Sequence, residues 1–372
     1  MTTRRARDAG IIVGTGTPGP HNAITDVTGI RVGHTTLTRG EGPLRPGEGP
    51  VRTGVTVLLP HDGDVFTQPL HAGHHWLNGN GELTGTAWIR ENGLLMSPVA
   101  LTNTGSVGTV RDTLTAIEAA THGPHHRIWT LPVVGETWDG VLNDINGQHV
   151  HHEHVHHAYD TATTAPPAEG NVGGGTGMTC HGFKGGTGTA SRVTDQGYTV
   201  GVLLQANHGV RDRLTVLGAP IGPDLAHIPT PQPPEPTYKP GSGSIIVIVA
   251  TDAPLLPHQC TRLAQRATLG IARTGGAGED SSGDGVLAFS TANRDALRTT
   301  APTRTLTTLN DTHIDPLFYA AIEATEEAIL NALLAADTMT GRDDITAHGL
   351  DAATLVDALA VYARGPGFRT AT

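Results

Sequence analysis

The sequence predicts an α+β protein in which sheets and helices form a layered sandwich. The 49 glycines and 25 prolines indicate many tight turns. With 4% aromatic and 16% charged residues, the composition is not that of a helical bundle or a disordered chain. Apolar runs of strand length are interleaved with helical segments, without the regular βα alternation of a doubly wound sheet. The 372 residues are expected to form a single domain with one internal linker.

Apolar runs bounded by turn residues predict the strands. Residues 22–37 predict a turn followed by a short strand, and the run IIVIVA after Ser244 predicts a fully buried strand over 245–249. The segment before it, 221–243, is rich in Pro and Gly and predicts a linker on the surface. Further strands are predicted at 54–60, 128–134, 198–206 and 286–291.

Helical spacing and end signals predict the helices. Apolar residues at 107, 110, 114 and 117 predict a helix over 107–120, with Ser106 available as its N-cap. Residues 254–273 begin with Pro and end just before two glycines, which predicts a second helix. Two more are expected at 316–336 and 351–364.

Charge and cysteine content exclude several classes of partner. The formal charge of -11 leaves no basic face for nucleic acid or an anionic membrane. No run of 18 apolar residues occurs, and the basic residues near the start are not followed by an apolar core of signal-peptide length. Cys180 and Cys260 are too far apart in sequence to form a disulfide scaffold. We therefore expect a soluble, cytoplasmic protein.

Two unusual tracts each allow a functional and a structural interpretation. The glycine-dense stretch 170–192 allows a phosphate cradle, but Lys184 lies outside P-loop spacing, and close packing of hairpin turns is the preferred interpretation. The tract HVHHEHVHH, 149–157, offers metal ligands without the spacing of a zinc site. A solvated loop that binds metal adventitiously is the preferred interpretation.

Polar residues at the ends of predicted strands are the candidate reacting groups. Ser244 is the last polar residue before a buried strand, where its hydroxyl would be held rigidly as a nucleophile. Asn207 follows another strand, where its amide either meets an oxyanion or forms a turn. Ser282 and Asp284 lie on a Gly-flanked turn, for which turn chemistry is an equal explanation. A Ser-His-Asp triad stays open because 21 histidines are present, although none follows a GxSxG elbow.

Several long motifs, taken together and in order, resemble the self-cleaving L-aminopeptidase/D-esterase family, which includes β-peptidyl aminopeptidases and, more distantly, nylon-oligomer and pantetheine hydrolases. The resemblance spans nearly the whole chain. It rests on TPGPHNAITDVTGIRVGHTT, PVVGETWDGVLNDING, CHGFKGGTGTASR, GVLLQANHG, GSIIVIVATDAPLLPHQ, SSGDGVLAFST and ATEEAILNALLAADTMTGRD.

The resemblance implies a four-layer αββα sandwich, similar to the N-terminal nucleophile hydrolases but differently connected. It also implies that the chain cuts itself between Gly243 and Ser244, giving fragments 1–243 and 244–372. No metal or organic cofactor is implied, and neither nucleic acid nor membrane is an expected partner. Homo-oligomers of the cleaved pair are expected.

A hydroxyl and a free amine on one residue explain the chemistry that the resemblance implies. An α-amine has a pKa of about 7.7–8.0, so it is partly neutral near pH 7 and can take the hydroxyl proton. Asn207 would then stabilise the oxyanion, Ser282 and Asp284 would orient the amine and assist proton transfer, and Lys184 would stabilise charge. Glu279 and Asp280 make the EDSSGD segment more acidic than the family pattern. They either attract a substrate amine or are loop residues without a role in binding.

The expected activity is that of a serine aminopeptidase or amidase, acting on short peptides, amides or esters through an acyl-enzyme on Ser244. An amidase for pantetheine-like or ω-amino-acid oligomer amides is the alternative within this chemistry. A non-catalytic metal- or nucleotide-binding protein is the alternative from another class.

Overall fold

Two β-sheets stacked face to face between two helical layers form the body of the molecule. The computed structural model describes residues 5–123, 129–234, 241 and 243–362. The strands within the described residues are β1 (Arg31–Arg39), β2 (Val51–Leu59), β3 (Leu70–Gly79), β4 (Leu94–Leu95), β5 (Val99–Asn103), β6 (Val133–Thr137), β7 (Thr179–Cys180), β8 (Phe183–Lys184), β9 (Gly186–Val193), β10 (Thr199–Asn207), β11 (Ser244–Thr251), β12 (Gly283–Ser290), β13 (Met339–Thr340) and β14 (Thr346–Ala347).

The strands form one four-stranded and one six-stranded sheet, with two short hairpins beside them. The smaller sheet has the order β1-β2-β5-β6 and the larger one β4-β3-β12-β11-β10-β9. The helices within the described residues are α1 (Thr86–Asn92), α2 (Val107–His122), α3 (His152–Asp160), α4 (Pro257–Arg273), α5 (Arg294–Leu297), α6 (Asp315–Ala335) and α7 (Ala352–Tyr362). Because α2 and α3 cover the smaller sheet while α4 and α6 cover the larger, the αββα prediction is confirmed.

Strand β11 is buried on both faces, which explains its continuous apolar run. Ile246 and Ile248 pack between the two sheets with residues such as Phe289. Their neighbours Ile245 and Val247 point the other way, into the core formed with α4 and α6. A strand that faces two cores has no polar side, so alternation disappears from its sequence.

Several predicted boundaries agree with the structure. Helix α2 begins at Val107 as expected, although Ser106 makes no side-chain cap hydrogen bond. Helix α6 lies within one residue of the predicted 316–336 at each end. Helix α7 covers most of 351–364, whose last two residues lie outside the described part of the chain.

Two boundaries were predicted wrongly. The expected strand at 128–134 begins only at Val133, because Trp129 and Leu131 are exposed and pairing with β5 starts at Val133. Residue 128 itself lies outside the described residues. The helix expected from 254 begins instead at Pro257, where the Gln259 side chain accepts a hydrogen bond from the backbone amide of Leu256.

The histidine-rich tract is not the solvated loop that its composition predicted. Residues from His152 onward form α3, which packs Val155 and Ala158 against the smaller sheet. These two apolar side chains are three positions apart and therefore share one helix face. The five histidines of the helix and its N-cap obscured this short apolar stripe in the sequence.

No helix within the described ranges is both long and apolar enough to cross a membrane. The longest, α6, instead carries buried carboxylates that hold the N-terminal segment to the larger sheet. Glu327 is fully buried and accepts hydrogen bonds from the Arg192 guanidinium at 2.6 Å and from Arg7 Nε at 3.0 Å. Glu323 Oε2 accepts from Arg192 Nε at 3.1 Å. These ion pairs link three distant parts of the chain.

Removing a carboxylate from this network is expected to destabilise the fold. In Glu327→Ala the buried Arg192 loses one of its two carboxylate partners, and breaking a buried pair in this way typically costs about 3–5 kcal/mol. The free energy of unfolding should be measured in urea, with each variant built on Ser244→Ala so that chain cleavage does not differ between samples. Glu48→Ala, which removes a carboxylate from an exposed ion pair, is the control and should leave the midpoint nearly unchanged. Equal midpoints for the two variants would contradict the assigned role of Glu327.

Candidate active site

The pairing of three neighbouring strands brings the predicted site residues together. Ser244 is the first residue of β11 and is almost fully buried. It lies opposite Asn207 of antiparallel β10 and opposite Gly283 of parallel β12. The backbone N–H of Gly283 donates to Ser244 Oγ at 3.1 Å, which fixes the hydroxyl at the end of the strand.

Ser282 and Asp284 flank the glycine that contacts the Ser244 hydroxyl. Ser282 Oγ donates to Asp284 Oδ1 at 2.7 Å, and the backbone N–H of Ile245 donates to the same oxygen at 3.3 Å. The carboxylate therefore contacts the residue next to Ser244. Burial raises the pKa of Asp284 to about 6, and the hydrogen bond from Ser282 opposes that rise.

The side-chain amide of Asn207 is held from both sides. Its Oδ1 accepts from the backbone N–H of Thr179 at 2.8 Å, and its Nδ2 donates to the backbone carbonyl of Trp138 at 2.8 Å. An amide nitrogen carries two hydrogens, so one donor remains for another acceptor.

Gly243 packs so closely against Asn207 that a larger residue would not fit. A Cβ built on Gly243 would lie 1.8 Å from the Asn207 carbonyl oxygen and 3.0 Å from Asn207 Nδ2. The residue before Ser244 must therefore be glycine in this backbone arrangement. The same closeness puts Gly243 beside the remaining Asn207 donor.

A cavity of about 560 Å³ opens at Gly243 and Ser244. Its described lining residues include no histidine, so a Ser-His-Asp triad at Ser244 receives no support. Glu279 and Asp280 are also absent from that lining, whereas Ser281 belongs to it. The other residues that line the cavity include Glu136, Trp138, Asn143, Asn146 and Arg342.

Glu136 is a candidate functional residue that sequence reasoning missed. It is almost fully buried near the end of β6, accepts from the backbone N–H of Glu82 at 3.0 Å and also accepts from the Thr104 hydroxyl. Burial raises its pKa, while these two hydrogen bonds oppose the rise. An acidic residue two positions after the apolar pair Val133-Val134 was the available signal, but the sequence does not reveal that β6 ends at the cavity that Ser244 also lines.

Lys184 lies away from this cavity. Its ammonium is fully buried and donates to the carbonyls of Met178 at 2.7 Å and Gly185 at 2.8 Å. Burial lowers its pKa to about 7. Lys184 does not line the cavity at Ser244, so its expected role in charge stabilisation stays a prediction.

The two tracts with alternative interpretations have structural explanations. In the glycine-rich stretch, residues from Gly186 form β9, and a Cβ at Gly188 would lie 2.0 Å from the Ala328 carbonyl oxygen of α6. Close packing therefore accounts for this glycine. Two groups of His, Cys, Asp or Glu among the described residues are compact enough to hold a metal ion, and neither includes a residue of 149–157.

A serine that opens a central strand of an αββα sandwich defines the class, which is that of hydrolases with an N-terminal-nucleophile-type fold. The structure of an L-aminopeptidase D-Ala-esterase/amidase from Ochrobactrum anthropi, described as a prototype of the serine aminopeptidases and a variant of this fold, matches with a TM-score of 0.88. The two are 44% identical, and the match covers 97% of this chain and 99% of that one.

Sequence comparison leads to the particular family. The model of peptidase family S58 matches residues 22–347, so the chain belongs to that family and is a hydrolase of peptide bonds. A β-peptidyl aminopeptidase, BapA, from Sphingosinicella microcystinivorans is 49% identical over 97% of this chain and 93% of its own length. The structure of a β-aminopeptidase from Burkholderia sp. is 52% identical, covers 98% of this chain and 99% of its own, and has a TM-score of 0.88.

The hydrogen bond between Ser282 and Asp284 is expected to set the lower of two steps on the acidic limb of the pH profile, below the step at about pH 7.7–8.0 from protonation of the α-amine. If the ionised carboxylate is the active form, kcat/KM should fall as the pH drops through about 6, the pKa of Asp284. Ser282→Ala removes an interaction that lowers this pKa, so this lower step of the limb should move to higher pH. The measurement is kcat/KM against pH for the amide of an amino acid with a free amino group. A lower step that stays in place or moves to lower pH would contradict the assignment.

Proposed function

We propose that this protein is a self-processed serine aminopeptidase in which Ser244 is both the nucleophile and, through its own α-amine, the base. The observation that carries this proposal is the position of Ser244, which opens the central strand with its hydroxyl fixed by Gly283 N–H and exposed to a cavity. A nucleophile held rigidly beside a cavity satisfies the geometric requirement for acyl transfer.

Self-cleavage would create the free amine. Ser244 Oγ attacks the carbonyl carbon of Gly243, the amide nitrogen of Ser244 becomes an amine, and the resulting ester is hydrolysed by water. The products are fragments 1–243 and 244–372. The remaining Asn207 donor lies beside Gly243, which supports a role for it in stabilising the oxyanion.

Turnover would repeat the same chemistry on a substrate. The neutral α-amine of Ser244 takes the hydroxyl proton, Oγ bonds to the substrate carbonyl carbon, and the leaving amine departs with that proton. Water then hydrolyses the acyl ester. The Ser282–Asp284 pair, which contacts the backbone next to Ser244, would orient the amine and assist proton transfer.

Glu136 supports specificity for a free amino group. A buried carboxylate is costly unless it is paired, and Glu136 faces a cavity that ends at Ser244. A substrate ammonium would supply the missing positive charge and place the carbonyl of the first residue at the nucleophile. Short peptides, amides and esters with a free amine, including β-amino acid derivatives like those named for its relatives, are the proposed substrates. Pantetheine-like and ω-amino-acid oligomer amides are the alternative.

The proposed active form is a homo-oligomer of cleaved pairs in the cytoplasm. Both cysteines are buried and unpaired, which fits a reducing compartment. Light scattering of the purified protein measures the assembly directly.

The first test is denaturing mass spectrometry of the wild type beside Ser244→Ala. The wild type is expected to give two fragments that meet between Gly243 and Ser244, and the variant one intact chain. Because the variant retains the backbone of β11, its loss of processing would identify the hydroxyl as the group that cuts. An intact wild-type chain after long incubation, or a cleaved variant, would contradict the mechanism.

The second test concerns Glu136→Gln. Hydrogen bonds to charged groups contribute about 1.5–3 kcal/mol, so kcat/KM for free-amine substrates should fall roughly 10- to 100-fold. The effect should be small for an ester without an amino group.

Glu82→Gln is the matched control for that variant. It removes an exposed carboxylate close to Glu136 in space but outside the cavity lining, so it should leave kcat/KM nearly unchanged. Equal losses for substrates with and without an amino group, or for both variants, would show that Glu136 does not recognise the amine.

A further inference from the structure

A buried cluster of one cysteine and two histidines lies behind the strand end that carries Asn207. Cys180 and His181 are fully buried and His208 is 3% exposed. One potential ligand atom from each lies within 4.8 Å of the others, and Cys180 Sγ is 3.8 Å from His208 Nδ1. The proposed hydrolysis uses none of these three side chains.

Both histidines have a buried ring nitrogen without a partner. Nε2 of His181 and Nε2 of His208 make no hydrogen bond, although His181 Nδ1 contacts the carbonyl of Val210 at 3.2 Å. Buried polar atoms are normally satisfied, and an unsatisfied one calls for a ligand, a water or a functional reason. The unpartnered Nε2 of His181, in a compact cluster with a thiol and a second imidazole, therefore points to an occupant.

The backbone holds His181 in an unusual conformation to complete the cluster. His181 and Gly182 form the two-residue turn between β7 and β8, with φ values of +48° and +70°. Gly, Asn or Asp usually occupies such turns, so a buried histidine there is a local exception. The His181 N–H donates to the His208 carbonyl at 2.8 Å, which joins the two segments that carry the cluster.

The surroundings fix the rings and leave a route inward. A Cβ at Gly209 would lie 2.3 Å from His181 Cε1, and one at Gly276 would lie 2.9 Å from His208 Cδ2, so glycines make room for both rings. A second cavity, of about 220 Å³, is lined by His208 and by the neighbours of His181 and His208 in the chain, Gly182 and Gly209. The cavity therefore adjoins the cluster at His208.

We propose that Cys180, His181 and His208 form a binding site for one zinc-class divalent ion, with a water from the adjacent cavity as the fourth ligand. One thiolate, two imidazoles and an open position are a ligand set that suits zinc. Tetrahedral zinc would place sulfur and nitrogen ligands about 3.5 Å apart, close to the 3.8 Å between Cys180 Sγ and His208 Nδ1, so His208 would ligate through Nδ1 and His181 through Nε2. On binding, the Cys180 thiol releases its proton to solvent.

The ion would act as a clamp behind the candidate active site, without a role in bond cleavage. Thr179 precedes Cys180, Asn207 precedes His208, and the Thr179 N–H holds the Asn207 side chain. Ligating Cys180 and His208 together would therefore stabilise the orientation of the Asn207 amide. This inference does not depend on the proposed catalytic role of Ser244.

Cobalt(II) is the probe, because a thiolate ligand gives it a near-ultraviolet charge-transfer band that nitrogen and oxygen ligands do not give. The metal-free purified protein is titrated with cobalt chloride, and zinc chloride is then added as competitor. We expect one cobalt per chain with the thiolate band, displacement of cobalt by zinc, and a melting temperature that rises with zinc concentration.

Cys260→Ser is the matched control for Cys180→Ser, because Cys260 is also fully buried but lies outside the cluster. The thiolate band and the zinc-dependent rise in melting temperature should persist in Cys260→Ser and disappear in Cys180→Ser. His181→Asn, which tolerates the left-handed backbone, should weaken cobalt binding even if Cys180→Ser fails to fold.

Three results would overturn the proposal. The first is a wild type that binds cobalt without the thiolate band, which would indicate adventitious binding at surface histidines such as those of α3. The second is a band that survives in Cys180→Ser or disappears in Cys260→Ser. The third is a folded wild type that binds neither metal, which would leave a buried water as the occupant.

Discussion

The register of β10, β11 and β12 is the constraint on which the candidate site depends. Asn207, Ser244 and Gly283 lie side by side because the three strands pair at these positions, and the pairing is fixed by apolar side chains on both faces of β11. A shift by one residue would exchange the two faces of the strand, moving Ile246 to the helical side and Ile245 to the space between the sheets. The buried side chains that follow Ser244, beginning with Ile245, thus fix the register of β11 and with it the position of the Ser244 hydroxyl.

Whether a strand or helix could be predicted from the sequence depended on whether its pattern lies within one continuous segment. The strand after Ser244 and helix α6 were predictable because long apolar runs or clear periodicity lie within one segment. Strand β3, HAGHHWLNG after Leu70, was not predicted, because histidines and glycines interrupt its apolar residues. The glycine-rich β9 was likewise taken for turns, although small residues are what allow α6 to pack on it.

The residues of the candidate site also differ in how far the sequence alone could reveal them. Ser244, Asn207, Ser282 and Asp284 lie at strand ends, where a polar residue after or before an apolar run is visible in the sequence. Their convergence required either the family resemblance or the structure. Glu136 belongs to the other sheet, and its approach to Ser244 results from how the two sheets stack. No local pattern in the sequence shows that the two residues line one cavity.

The packing of Gly243 connects self-cleavage with turnover in the proposed mechanism. Gly243 lines the same cavity as Glu136 and Ser244, so in the uncut chain the linker end occupies space that a substrate would need. Cleavage would break the peptide bond that joins Gly243 to Ser244. The new end of fragment 1–243 would then be free to leave the cavity. The Asn207 donor that faced Gly243 would then be available to the substrate carbonyl, so one set of groups would serve both reactions in sequence.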